Sequence, residues 1–366
     1  NFGSWSQAVT LDAKSGYHDL GVIQVGADLL VQHAVKLNGR DKNADWVLPH
    51  DGKESKDHFG KVGATLKVKF SETELKVGDL LPMSPVVFFD PSRQLLTTYS
   101  GAWLESKDIK DTKLTLAYID GINTRYDNQY QNLTLLPQND FAKAEAAGLS
   151  TDDGMYIVGI DHQFTPKFTG SYWYADVTNI YKQHYVATDY KTTVGEKTKL
   201  DGHVRYFDNS ESGDKLYGNI DSQAVSAGLK VNQGAHTVQL GYQQMFGENN
   251  FPTLAGWVPQ PYLVNWSVAT FTNAKEKSWS VSYAYDFAGL GLKGLNANAI
   301  YFAGFDAKAG GKTNQDEQEL NLIVNYTVPE GKLKGLGVQA MYIDTDYDWK
   351  SDLKEYRVAT TYSYKF

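Results

Sequence analysis

An alternation of period two recurs from one end of this chain to the other, and it limits the fold more than any other feature. In residues 278–287 (Ser-Trp-Ser-Val-Ser-Tyr-Ala-Tyr-Asp-Phe) the odd positions are large and apolar or aromatic, and the even ones are small or polar. Residues 319–326 repeat the pattern with one lapse at Ile323, and residues 237–243 repeat it again. Leu66, Val68 and Phe70 alternate with Lys67 and Lys69, and Val25, Ala27, Leu29 and Val31 alternate with Gln24, Gly26, Asp28 and Gln32. Successive side chains of a strand point to opposite faces, so each segment has one apolar face and one polar face. A bundle of apolar membrane helices is excluded by a mean hydropathy of −0.43. The longest charge-free stretch, 249–274, is broken by Pro252, Pro259 and Pro261 and reads as a loop.

Between the strands, short turns such as 71–73, 110–112, 165–167 and 232–234 alternate with long connections at 38–61, 81–100, 124–153 and 246–275. Evenly spaced turns are the mark of a soluble sandwich. Strict short–long alternation predicts an outer-membrane barrel with tight periplasmic turns and long external loops. The tyrosines Tyr156, Tyr172, Tyr174, Tyr190, Tyr206, Tyr283, Tyr301, Tyr326, Tyr342 and Tyr362 fall near strand ends on the apolar face. Aromatic girdles occupy such positions at the two membrane interfaces.

The reading is therefore all-β: a transmembrane antiparallel barrel with constriction loops folded inward, forming a single domain over residues 1–366 with no linker. Seventeen strand segments are visible, the first and last both running toward the periplasm. Single-chain bacterial barrels normally carry an even number, so about 18 strands are expected, with one upstream of Asn1. The opening Asn1-Phe2-Gly3-Ser4-Trp5 reads as a mature or trimmed start. One short helix is expected, with Asn139-Asp140 as cap, 141–147 as body and Gly148 as stop.

Composition removes several functions. Cys 0 excludes disulfides, thiolate metal sites and cysteine nucleophiles. A net charge of −8 argues against nucleic acid as a partner. The eight histidines are scattered, His50 and His58 share a loop without a metal-ligand pattern, and no serine or threonine stands in a nucleophile motif. No cofactor, metal or catalytic residue is expected. A barrel-embedded hydrolase and a plugged structural or adhesin barrel are the alternatives to a channel.

Specific wording then narrows the reading. Residues 75–86 (Leu-Lys-Val-Gly-Asp-Leu-Leu-Pro-Met-Ser-Pro-Val), continued by 92–101 (Ser-Arg-Gln-Leu-Leu-Thr-Thr-Tyr-Ser-Gly), resemble the constriction-loop region of the OprD-like outer-membrane carboxylate channels. Glu276-Lys277-Ser278-Trp279 with Tyr283 and Gly294-Leu295 is similar to a second motif of that family, and 179–185 to a third. Trp5-Ser6-Gln7 with Ser15-Gly16-Tyr17 is similar to the family's second strand. The C-terminal segment, ending Tyr362-Ser363-Tyr364-Lys365-Phe366, resembles the signal read by barrel-assembly machinery, which Phe366 would contact.

The resemblance covers almost the whole chain. It implies a monomer or loose trimer in the outer membrane of a Gram-negative bacterium, bounded by lipid and lipopolysaccharide. Such a channel passes small hydrophilic solutes: carboxylates, amino acids or similar nutrients, and antibiotics. The loop 81–100, carrying Pro85, Phe88, Asp90, Ser92, Arg93 and Tyr99, would narrow the pore with help from 246–275.

A charge facing lipid near the midplane costs about 2–4 kcal/mol, so charges within strands should face the lumen. Lys67, Lys69, Lys76, Arg205, Lys230, Arg357 and Asp286 are expected there, together with Asn325 and Gln339. Lys67, Lys69, Lys76 and Arg357 would form a positive wall. Arg93 would either hold a carboxylate by paired hydrogen bonds or anchor the loop to an acid. The family's basic ladder is depleted: only Arg357 matches it, and Ser282, Ile300, Asn325, Gln339 and Met341 stand at the other positions. Thr270 replaces the family's aspartate in the second inward loop.

Overall fold

The computed structural model describes residues 3–39, 48–49, 55–256, 258 and 260–365. Among these residues seventeen long strands form one antiparallel sheet. They are β1 (Ser4–Lys14), β2 (Gln24–Gly39), β3 (His58–Phe70), β4 (Thr73–Leu80), β5 (Thr98–Ser106), β6 (Thr112–Asn123), β7 (Met155–Thr165), β8 (Phe168–Val177) and β9 (Tyr181–Val194). They continue as β10 (Thr198–Glu211), β11 (Asp221–Gln233), β12 (His236–Gly247), β13 (Lys277–Asp286), β14 (Leu295–Ala309), β15 (Lys312–Thr327), β16 (Gly337–Tyr347) and β17 (Leu353–Thr361). Each pairs with its neighbours in chain order, from Ser4 opposite Gly39 to Gly337 opposite Thr361. The expected helix is α1 (Phe141–Ala146). Gly148 follows it with a φ of +65°, whereas the Asp140 side chain makes no capping bond.

The burial pattern is inside out. Trp279, Val281 and Tyr283 of β13 are exposed, while Ser278 and Ser282 on the opposite face are buried. On β15, Leu320, Leu322, Val324 and Tyr326 face outward, while Glu317, Glu319 and Asn321 are buried. A soluble sandwich would bury the first set and expose the second.

The sheet curls back on itself. Gln94, in the loop after β4, donates to the carbonyl and hydroxyl of Ser6 on β1. Arg93 beside it feels the charge of Arg357 on β17. Among the described residues β1 and β17 are each paired on one side only.

Two details depart from the sequence reading. The alternation of turn lengths is not strict: residues 178–180 and 310–311 join strands at the long-loop end through very short turns. Gly310 and Gly311 have φ of +57° and +76°, the left-handed pair that a two-residue hairpin requires. The inward face is also not uniformly polar. Trp103, Ile157, Trp173, Tyr185, Phe207 and Met245 point inward and are buried under the loops, packed with Val86, Val87, Phe251, Leu254 and Leu263. The lumen therefore has one wall covered by apolar loop packing and one left polar.

Candidate functional site: the pore constriction

Residues 81–97 cross the lumen between β4 and β5, and wall side chains fix the crossing. Gln32 on the inward face of β2 accepts the Leu96 N–H at 2.7 Å, and Gln94 is tied to Ser6. Leu95 is buried with Ala34 and Phe59, and the Tyr99 hydroxyl donates to the Phe88 carbonyl at 3.0 Å. The second inward loop, 248–276, braces the first: Gln260 donates to the Pro85 carbonyl at 2.8 Å, and the Tyr262 hydroxyl to that of Met83 at 3.3 Å. Gln243 of β12 holds the second loop by accepting from Asn265 N and donating to the Phe271 carbonyl.

Three of the five arginines gather at this crossing. Asp90 is fully buried and accepts from Ser92 N at 2.8 Å and from Arg125 Nη1 at 3.1 Å. Arg125 also donates to Ser92 Oγ at 3.0 Å and lies over the Tyr126 ring. Arg93 donates to the Ser92 carbonyl at 2.9 Å. Among the described residues no carboxylate lies within ion-pair distance of Arg93. Burial, and then the neighbouring guanidinium groups of Arg125 and Arg357, push its pKa below the usual arginine value. Anchoring of this loop to an acid is made by Arg125, while Arg93 has no ion pair among the described residues and feels the Glu355 carboxylate only at longer range.

The basic residues of the wall are placed as their strand parity predicts, but they do not form an uncompensated positive surface. Lys67 is buried, 2.6 Å from Asp28, and donates to the Ser15 carbonyl. Lys69 faces Glu72 at 3.8 Å, Lys76 faces Glu74 at 3.6 Å, and Arg357 binds Glu355 through two hydrogen bonds of 2.6 and 2.8 Å. Leaving charges unpaired beside a low-dielectric wall is costly, so each acquires an acid nearby. Arg205 holds the second loop, with Nη1 donating to the Tyr262 carbonyl at 3.1 Å and Asp189 at 3.7 Å. Lys230 is exposed on the inward face of β11, with no acid in ion-pair range among the described residues. Asp286 caps the turn after β13 by accepting from Ala288 N.

Where the basic ladder is depleted, an amide ladder stands instead. Gln339 donates to Asn325 at 2.8 Å, Asn325 to Asn296 at 3.0 Å, and Ser282 to Asn298 at 2.9 Å. Ile300 packs near Phe271 and Phe302. Arg125 and Gln32 are the positions that sequence reasoning missed. Each meets the crossing loop only in three dimensions, and no local pattern marks that meeting. Phe366, Arg40 and His50 lie outside the described residues.

Comparison with known proteins agrees with this geometry. A family profile described as "outer membrane porin, OprD family" matches residues 2–366. The chain is 27% identical over 351 residues to the porin-like protein GalP of Pseudomonas putida, covering 95% of this chain and 82% of that one. The crystal structure of Pseudomonas aeruginosa OpdK with vanillate superposes with a TM-score of 0.91 at 28% identity, covering 98% of this chain and 92% of that one. That of Pseudomonas aeruginosa OccK2 (OpdF) in complex with glucuronate gives a TM-score of 0.87 at 26% identity, with coverages of 98% and 90%. With a profile match over nearly its whole length and barrels of the same architecture as its neighbours, the chain belongs to the OprD family of outer membrane porins.

Proposed function

We propose that this chain sits in the outer membrane as a passive diffusion channel that prefers small solutes bearing a carboxylate, and performs no chemistry on them. One observation carries the reading: Arg93 is held in the loop that crosses the lumen, beside Arg125 and Arg357, with no carboxylate in ion-pair distance among the described residues. A guanidinium presents two parallel donors that match a carboxylate. Vanillate and glucuronate, in the two related structures above, are both carboxylates. The preference is modest, because Lys67, Lys69, Lys76 and Arg357 are each neutralised by a neighbouring acid. The amide ladder Asn296–Asn325–Gln339 admits neutral and zwitterionic solutes beside anions.

Lipid and lipopolysaccharide surround the barrel, assembly machinery reads the C-terminal strand through Phe366, and the channel works as a monomer or loose trimer. Arg93 and Lys230 are the solute-facing cations. Asn325 and Gln339 line the wall, and Pro85, Phe88, Asp90, Ser92 and Tyr99 shape the crossing. Reversal potentials across a salt gradient test this reading. The wild type should favour anions, and Arg93→Ala should move the reversal potential toward zero. An unchanged value in Arg93→Ala removes Arg93 from the selectivity, and cation preference in the wild type overturns the reading itself.

A further inference from the structure

The Glu276-Lys277-Ser278-Trp279 motif plays no part in the constriction described above, yet its first residue lies at the root of the second inward loop. Three glutamates meet there: Glu276, the last residue of the loop, and Glu317 and Glu319 on the inward face of β15. All three are buried, with exposures of 1%, 2% and 0%. Between them they hold the loop. Glu319 accepts from Ala269 N at 2.6 Å, Glu317 from Phe271 N at 3.2 Å, and Glu276 from Asn273 N and Nδ2 at 3.0 and 2.9 Å. Gly304 on β14 makes room for the cluster: a Cβ there would stand 2.3 Å from Glu276 Oε1.

Among the described residues no lysine or arginine reaches ion-pair distance of any of the three. Lys275 and Lys308 are held by Glu248, and Lys277 by Asp306. Lys350 lies over the Tyr347 ring and feels Glu317 only at longer range. The remaining neighbours are neutral: Tyr347, Thr345, Asn321 and Asn273.

The Asn273 side-chain amide donates to both carboxyls, at 2.9 Å to Glu276 Oε2 and 3.4 Å to Glu317 Oε1, so the two lie side by side, and Glu276 Oε1 is buried without a hydrogen-bond partner among the described residues. Buried together, like charges disfavour double ionisation. We propose that Glu276 and Glu317 share one proton, and that this one-proton clasp keeps loop 248–276 folded into the lumen, so that its loss at alkaline pH releases the loop and widens the pore. The widening step rests on the channel reading; the shared proton does not.

The direction follows from linkage. Burial holds Glu276 above the usual carboxylate range. A released loop exposes ordinary glutamates, which are already ionised at neutral pH. The folded-in state thus binds one proton more. Each unit of rising pH below the clasp's own pKa disfavours that state by about tenfold, and falling pH restores it. Release also removes the Gln260–Pro85 brace on the first loop.

Two measurements separate the parts of the proposal. In the infrared spectrum of the reconstituted wild type at neutral pH, the carbonyl stretch of a neutral carboxylic acid should be present, should disappear on alkaline titration, and should be missing in Glu276→Gln and Glu317→Gln. A glutamine supplies a permanent N–H in place of the shared proton, so both variants keep the clasp. In planar bilayers the wild-type single-channel conductance and current noise should rise reversibly with pH, whereas both glutamine variants should stay flat at the low-pH value. Absence of the infrared band in the wild type overturns the shared proton. An identical pH profile in wild type and Glu317→Gln overturns the clasp as the gate. If the band is present but no form conducts, the channel reading fails while the shared proton stands. The wild-type titration decides the first point even if a variant does not assemble.

Discussion

Replacing Asp90 by alanine tests how the first loop is held across the lumen. The Asp90 and Arg125 side chains are 1% and 7% exposed, so their ion pair is screened little by solvent. Removing one partner of a buried pair costs about 3–5 kcal/mol, because the other charge is left uncompensated. Arg125 keeps its bond to Ser92 Oγ and its place over the Tyr126 ring, so the lower end of that range applies. About 3 kcal/mol corresponds to a roughly hundredfold rise in the population with the loop displaced. The displaced part is residues 82–92, since 94–97 remain tied to Ser6 and Gln32. Single-channel recordings should show a larger mean conductance and more open-channel noise in Asp90→Ala, a smaller change in Asp90→Asn, and partial recovery in the double variant Asp90→Ala/Arg125→Ala, where no charge is orphaned. If Asp90→Ala conducts with wild-type amplitude and noise, the pair does not hold the loop.

Three further outcomes follow from the geometry. Val281→Arg, at the middle of the outward face of β13, should cost about 2–4 kcal/mol of stability in the bilayer, read by urea titration of the membrane-embedded fold. Ala359→Arg, on the inward face of β17 and water-exposed, should change it little. Gly63→Val should displace Asp79, whose carboxylate oxygen stands 1.4 Å from where a Cβ would be. The hydrogen bond from the Tyr130 hydroxyl to the Asp79 carboxylate would then break, which should appear as a lower denaturation midpoint. Lys76→Met, which leaves Glu74 without a cation in the lumen, should shift the reversal potential toward cation preference, and an unchanged potential would place Lys76 off the ion path.

The strands could be read from sequence because a barrel strand repeats one local rule along its length. The face of Trp279, Tyr283 and Tyr326 follows from period two alone. The tight Gly310-Gly311 hairpin was hidden because the charged and polar run 306–318 resembles a loop; two adjacent glycines were the available signal. The inward positions of Lys67, Lys76 and Arg357 were also legible, and so in principle were the acids two residues away on the same face, Glu74 and Glu355. What sequence could not show is how the loops meet. The pairing of Asp90 with Arg125, the grip of Gln32 on Leu96 and the reach of Asn273 to Glu317 join residues 35 to 64 positions apart. Those contacts depend on where two long loops fall inside the cylinder, and no periodicity encodes that.

The central claim is that the aromatic face meets lipid and the polar face meets water. Tryptophan quenching by lipids brominated in their acyl chains tests it most directly, using variants that retain only Trp279 or only Trp173. Trp279 faces outward, and Trp173 is buried inward, donating to Asp161 at 3.1 Å. Strong quenching of Trp279 with little of Trp173 is predicted. Quenching of Trp173 with Trp279 protected would mean that the sheet is wound with the opposite face outward.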